Sequence, residues 1–417
     1  MSVYNTITLR SGLRVIHRHT QSPVVYCGFQ VAVGTRNEQK GEEGLAHFCE
    51  HMIFKGTMRR HAMQIIKGLE VVGGDLNAFT TKDTTVFHAA ILNEHLPKAV
   101  NLLSDIVFRS IFPPAEIEKE VEVVCDEIES YNDSPAELIY DEFERWLFPN
   151  HPLGHNILGN AEQLHSYKQD DFLRFHRRFY RPERTVFFVD GDVDFDRIVK
   201  MLRRQGFDSA SEFAEGKRYA DNIKLVEIPK FDTACEKTRT IVHDTHQAHV
   251  MIGCRAYKAG DKRRLPLYLL NNIIGGPGMS ARLNIVLRER LALVYAVESY
   301  MMSYSDTGMW ASYFGCEPKN VEKCCSLVRK ELKRYAETPL SDVNLLAAKR
   351  QIKGQIGIAC DQREQFALDF GKSFLHYGWE RDIEKLYKDI DAITAKEVQE
   401  VAADLFTDDK LLTLIIK

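Results

Sequence analysis

The sequence predicts an α+β protein of two similar domains from an internal duplication, each a mainly antiparallel sheet packed by helices. Three observations predict it. The chain has 417 residues, more than one ordinary core fills, so two domains of about 200 residues each are expected. Strand-like and helical runs are mixed, some in hairpins and some singly, which argues layered sheet and helix. The order of elements then restarts in the second half, the mark of a repeat.

The elements follow in chain order. Thr6 to Leu9 and Leu13 to His17 flank Ser11-Gly12 and read as a hairpin. Val24 to Val33, rich in Val, Tyr and Phe, reads as a strand, and Glu43 to Phe54 as a helix. Met63 to Val71 is a second helix, stopped by Gly73-Gly74. Thr84 to Leu92 is a strand and Leu96 to Arg109 a helix. Pro113-Pro114 opens a long acidic helix from Ala115 to Tyr131, broken by Asn132-Asp133-Ser134-Pro135. The loop His151-Pro152-Leu153-Gly154 follows, and Val186 to Val189 is an apolar strand closed by Asp190-Gly191-Asp192.

A polar stretch from Gly216 to Lys237 places the domain boundary near Gly216, dividing 1–217 from 218–417. Thr238 to Val242 and Ala248 to Cys254 repeat the opening strands of the first half. Leu265 to Ile274 repeats the helix of Glu43 to Phe54 and runs into Gly275-Gly276-Pro277-Gly278. A long helix begins near Pro339, and Leu411 to Ile416 is the closing strand.

Composition excludes several function classes. Hydrophobic residues make up 44% and charged residues 27%, a globular balance. A net charge of −4 gives no basic excess for nucleic acid or anionic lipid. The nine cysteines are odd in number and form no CxxC pair, which fits a reducing compartment rather than a disulfide frame. Met1 to Arg10 shows neither signal nor transit-peptide character, and no run of about 18 apolar residues exists, so no membrane span is expected and cytoplasm is the expected location.

The sharpest chemical signal is His47-Phe48-Cys49-Glu50-His51, an H-x-x-E-H pentad. On a helix, residues four apart share a face, so both imidazoles can reach one ion. Zinc takes such nitrogens and accepts a carboxylate as third ligand. Glu50 lies beside the open position, where it can take a proton from an attacking water. Leu45, Phe48, Met52 and Ile53 give the helix an apolar side, against which two histidines and an acid are costly unless satisfied. The third ligand must come from elsewhere. The acidic helix offers Glu116, Glu118, Glu120, Glu122, Asp126, Glu127 and Glu129, of which Glu120 and Glu127, two turns apart, share a face.

The inverted order of the pentad marks the inverzincins. Gly44 to Thr57 resembles the pitrilysin and insulin-degrading-enzyme superfamily, in particular the short-chain branch that includes the mitochondrial processing peptidase. Gly73-Gly74-Asp75-Leu76-Asn77-Ala78-Phe79-Thr80, His151 to Gly154 and Gly191-Asp192-Val193 fit the same branch, and the likeness runs over essentially the whole chain. It implies Glu127 as third metal ligand and Glu120 as a second conserved acid. It places Asn77 and Ala78 on a strand that pairs with the substrate backbone, and Phe54 in a pocket just past the scissile bond. It also makes Arg288 and Tyr295, seven apart in the second half, an Arg/Tyr pair that reaches the zinc site of a partner subunit.

In the second half, Leu269, Asn272 and Ile273 stand where the two histidines and the glutamate would align, and roughly Lys353 where Glu127 would be. These cannot hold zinc. One Zn2+ per chain is therefore expected. The activity implied is a zinc metalloendopeptidase acting on short or unfolded polypeptides inside a closed chamber, as a homodimer or as a heterodimer with a related subunit. The alternative is a non-catalytic scaffold or substrate-capture subunit, whose relatives have lost the pentad.

Overall fold

The structure, a computed structural model, describes residues 3–209, 226–232, 235–243 and 245–417. The hairpin around Ser11-Gly12 forms from β1 (Tyr4–Thr8) and β2 (Arg14–His19), antiparallel with Thr6 opposite Ile16. With β3 (Val24–Val31), β4 (Asp75–Thr80), β5 (Thr85–Leu92) and β6 (Thr185–Gly191) they make a six-stranded sheet in the order β1-β2-β6-β3-β5-β4. The β2–β6 pair is parallel and the other pairs are antiparallel.

A second sheet of five strands contains β7 (Thr238–Ile241), β8 (Ala248–Ala256), β9 (Val294–Ser303), β10 (Gly308–Cys316) and β11 (Leu412–Ile416) in the order β7-β11-β8-β10-β9. Here β7 and β11 are the parallel pair. The series β2-β6-β3-β5-β4 and β7-β11-β8-β10-β9 correspond strand for strand, in order and in direction. The duplication expected from element order is present in the hydrogen-bond topology, with β1 added to the first sheet.

The helices of the first half are α1 (Leu45–Ile53), α2 (Ala62–Glu70), α3 (Leu96–Arg109), α4 (Pro114–Asn132), α5 (Pro135–Leu147), α6 (Ala161–Ser166), α7 (Gln169–Phe179) and α8 (Phe195–Leu202). Those of the second are α9 (Arg264–Gly275), α10 (Val321–Glu337), α11 (Asp342–Asp361), α12 (Arg363–Tyr377), α13 (Ile383–Ala392) and α14 (Ala395–Leu405). Among the described residues, no helix is long and apolar enough to cross a membrane.

The expected boundary near Gly216 lies outside the described residues. The chain forms two compact units that are not contiguous stretches of sequence. One comprises Met1–Glu129, His155–Val226 and Ala359–Arg381; the other comprises Ser130–Gly154, Glu227–Ile358 and Asp382–Lys417. Each half lends the other the helix that follows its long helix: α5 packs on β8 and β11, and α12 packs on β3 and β6. In the first unit α12 is anchored by charge. Arg363 donates to Asp190 Oδ1 from Nε at 3.0 Å and from Nη2 at 2.5 Å, and Arg18 Nε donates to Asp190 Oδ2 at 2.5 Å. Asp190 is fully buried, so two guanidinium partners offset the cost of desolvating it.

The first unit's core lies between its sheet and α1, α3 and α7, where Phe29 meets Phe187 at 4.7 Å and Phe48 meets Phe172 at 4.9 Å between ring centroids. This packing fixes one face of α1, and so fixes where its other face points.

Candidate metal centre

The N-terminus of α1 is set by two local devices. Gly44 has φ 84°, and a Cβ there would stand 2.7 Å from the Leu158 carbonyl oxygen, so only glycine fits. Buried Glu38 accepts hydrogen bonds from the N–H groups of Gly44 at 3.1 Å and Ala46 at 2.9 Å, satisfying donors that a helix start leaves open. Burial pushes the Glu38 carboxyl well up, against the pull of these two bonds.

Leu45, Phe48, Cys49 and Met52 are buried in the core, and His47, Glu50 and His51 turn to the other side. The His47 and His51 rings stand 4.6 Å apart between centroids. From α4, Glu127 Oε2 approaches both, 3.7 Å from His47 Nε2 and 3.6 Å from His51 Nε2. One donor atom from each of the three residues lies within 4.8 Å of the others. The ligand atoms of a tetrahedral zinc with bonds of roughly 2.0–2.1 Å lie about 3.3–3.4 Å apart. The two spacings to Glu127 are a few tenths wider, and two imidazole nitrogens with one carboxylate are a donor set that zinc accepts. The residues present therefore fit the ion.

Glu120 and Lys55 support this group. Glu120 Oε1 lies 3.0 Å from His51 Nδ1, and Lys55 Nζ lies 2.5 Å from Glu120 Oε2. A carboxylate only accepts, so Nδ1 carries the ring proton and Nε2 is left bare toward Glu127. Burial raises the Glu120 carboxyl, but the bonds from His51 and Lys55 outweigh it and hold the group below its ordinary value. Burial lowers His51, while the Glu120 bond and the charges of Glu50, Glu127 and Glu120 carry it above its ordinary value. Burial and the neighbouring His51 push His47 down to about 3, so its ring stays neutral; its Nδ1 has no hydrogen-bond partner among the described residues.

Glu50 is 8% exposed, and burial lifts its carboxyl to about 7. The hydroxyl of Thr80, the last residue of β4, donates to Glu50 Oε2 at 2.8 Å. β4 is an edge strand. Its side chains alternate: Asp75, Asn77 and Phe79 are exposed, while Leu76, Ala78 and Thr80 turn inward toward α1. Asn77 pairs with His88 and Ala78 with Phe87 on β5, leaving the other side of β4 without a strand among the described residues. Phe54, at the end of α1, is half-buried 6.2 Å from the Phe87 ring.

Arg288 and Tyr295 belong to the second unit and not to this cluster. The Arg288 guanidinium lies over the Tyr295 ring at 5.6 Å, and Tyr295 is 82% exposed. Leu269, Asn272 and Ile273 lie on α9, and Lys353 is paired with Asp391 at 2.7 Å. Among the described residues, His47, His51 and Glu127 are the group that could hold a metal. Sequence reasoning missed Glu38, Lys55 and Thr80 as parts of this site. Thr80 stood at the end of a quoted motif and Lys55 inside another, but nothing in the sequence points to the acids they touch.

A family model described as Insulinase (Peptidase family M16) matches residues 14–161, and one described as Peptidase M16 inactive domain matches residues 166–352. An "uncharacterized zinc protease" of Bacillus subtilis (strain 168) is 32% identical over 409 residues, covering 98% of this chain and 97% of its own. The chain belongs to the insulinase family of peptidases. A second relative, an "uncharacterized zinc protease" of Rickettsia bellii, is 31% identical over 415 residues, covering 99% of this chain and 97% of its own. A protease from Helicobacter pylori shares the fold with a TM-score of 0.87 at 22% identity, over 100% of both chains. A putative M16-like peptidase from Alicyclobacillus acidocaldarius does so with a TM-score of 0.84 at 18% identity, over 99% of this chain and 97% of that one. The metal group lies within the insulinase match; Arg288 and Tyr295 lie within the match to the inactive domain.

Proposed function

We propose that this insulinase-family chain is a zinc metalloendopeptidase that hydrolyses short or unfolded polypeptides in a closed chamber, with one metal site per chain. The observation that carries this reading is the convergence of His47, His51 and Glu127 beside a buried Glu50 whose carboxyl sits near neutrality. Held by His47, His51 and Glu127, zinc would supply Lewis-acid chemistry to a water and to a developing oxyanion.

The chain's own groups do the rest. Glu50 takes a proton from the water that attacks the peptide carbonyl and passes it to the leaving amine. Glu120, held by Lys55, keeps the His51 ring turned with Nε2 toward the site. The free side of β4 at Asn77 and Ala78 receives the substrate backbone as an added strand, which gives affinity with little demand on sequence. Phe54 lines the pocket past the scissile bond. Arg288 and Tyr295 serve a partner subunit's site in a dimer, and the protein works in the cytoplasm.

The test is Glu50→Gln in the full chain. Zinc content should stay at that of the wild type, while kcat on peptides found by a library digest should fall by about 10²–10⁴-fold, the worth of general acid–base catalysis. A Gln variant that cleaves at the wild-type rate would sink the mechanism.

A further inference from the structure

We propose that Thr80 is a positioning residue for Glu50, tying the orientation of the base to the edge strand that would receive the substrate. This rests on the reading of Glu50 as proton acceptor. Thr80 Oγ1 lies 2.8 Å from Glu50 Oε2 and 3.4 Å from Thr85 Oγ1. The Thr85 hydroxyl donates to the Val33 carbonyl at 3.0 Å, so its own proton is committed. Thr80 has one proton to give, and the shorter contact to a charged acceptor takes it.

The consequence is geometric. Glu50 is 8% exposed, and its carboxyl can turn about its last bond unless one oxygen is held. With Oε2 held by Thr80, Oε1 is the oxygen left for a water. The hydroxyl comes from the last residue of β4, at the sheet edge, and from the inward-facing set that includes Leu76 and Ala78. Strand β4 packs against α1, so strand and helix meet through this contact as well as through apolar packing. A peptide pairing along β4 would fix the backbone that carries the hydroxyl, and so fix the carboxylate. Binding along the strand and readiness of the base are then one event, which is how substrate positioning contributes to rate.

The experiment uses the full-length zinc-loaded protein and an internally quenched peptide taken from the library digest. Thr80→Val keeps the shape and removes the donor. Its kcat should fall about ten- to a hundred-fold, the worth of a hydrogen bond to a charged group, with KM changed less than about threefold. Zinc content should be unchanged. Thr80→Ser keeps the donor and should recover most of kcat, while Thr80→Ala should behave like the valine variant. If Thr80→Val lowers thermal stability, the Ser and Ala pair still decides, since the two differ only in the hydroxyl. Wild-type kcat in the Val or Ala variant overturns the proposal, as does a Ser variant no better than Ala. Glu50→Gln is run alongside. An active Gln variant defeats the reading of Glu50 itself, whereas an inactive Gln variant beside an unaffected Thr80→Val defeats the Thr80 proposal alone.

Discussion

At the scale of single residues, the metal group divides into donors the sequence states and supports it does not. His47, Glu50 and His51 are legible because one helix carries all three at local spacing. Glu127 could be singled out from its acidic neighbours only by resemblance, since any of several carboxylates on α4 satisfies a solvated helix as well. Lys55 and Thr80 act across distances of 65 and 30 residues to Glu120 and Glu50, and no local pattern encodes such a partner. Their roles can be measured. Glu120→Ala frees the His51 ring, and its zinc affinity, measured by competition with a chromophoric chelator, should weaken about 10–100-fold, as loss of a ligand's hydrogen-bond partner does. Lys55→Met should weaken it by a smaller step, because Glu120 keeps its place against His51 but loses the cation that anchors it. An unchanged affinity in Glu120→Ala would mean that the histidine needs no such support.

At the scale of elements, what the chain's period reveals depends on burial. α3 is read correctly to the residue, Leu96–Arg109, because one apolar face repeats over four turns. β4 is not legible from its pattern. Asp75-Leu76-Asn77-Ala78 is polar on alternate positions with only Leu76 and Ala78 between, too short an apolar set to stand out, and its place at a sheet edge removes the pressure for an apolar run. The exchange of α5 and α12 between the two halves of the sequence is invisible for a different reason: amphipathic spacing shows that a helix has a core-facing side but not which sheet it covers. In the first unit, the cost of removing the anchor of α12 should be large. Arg363 also donates to Thr20 Oγ1 at 3.0 Å and to the Val24 carbonyl at 3.1 Å. Arg363→Ala leaves the buried Asp190 with Arg18 as its ion partner among the described residues, and should lower unfolding free energy by about 3 kcal/mol, the lower end for breaking a buried ion pair. Urea unfolding checks it; a loss under about 1 kcal/mol would show that the apolar contacts of Phe366 and Phe370 hold α12 without it.

At the scale of the whole molecule, the duplication left one half with the metal group and the other with Arg288 and Tyr295. The sequence shows that asymmetry through the side chains on α9, whereas a reach of the pair to a partner's zinc site is implied only by the family resemblance. If the chain dimerises and the pair works on the partner, two inactive variants should repair each other. Glu50→Gln spoils the base and keeps Tyr295; Tyr295→Phe keeps the base and removes the hydroxyl. In a mixed dimer, the Tyr295→Phe chain holds an intact Glu50 and receives an intact Tyr295 from its partner. Random pairing of equal amounts makes half the dimers mixed, each with one complete site of two, so peptide cleavage should return to about a quarter of the wild-type rate. If each chain uses its own pair, no chain in the mixture has both groups, and co-expression should add nothing to the residual rates of the two variants. The stoichiometry of recovery thus distinguishes a site completed across an interface from one completed within a chain.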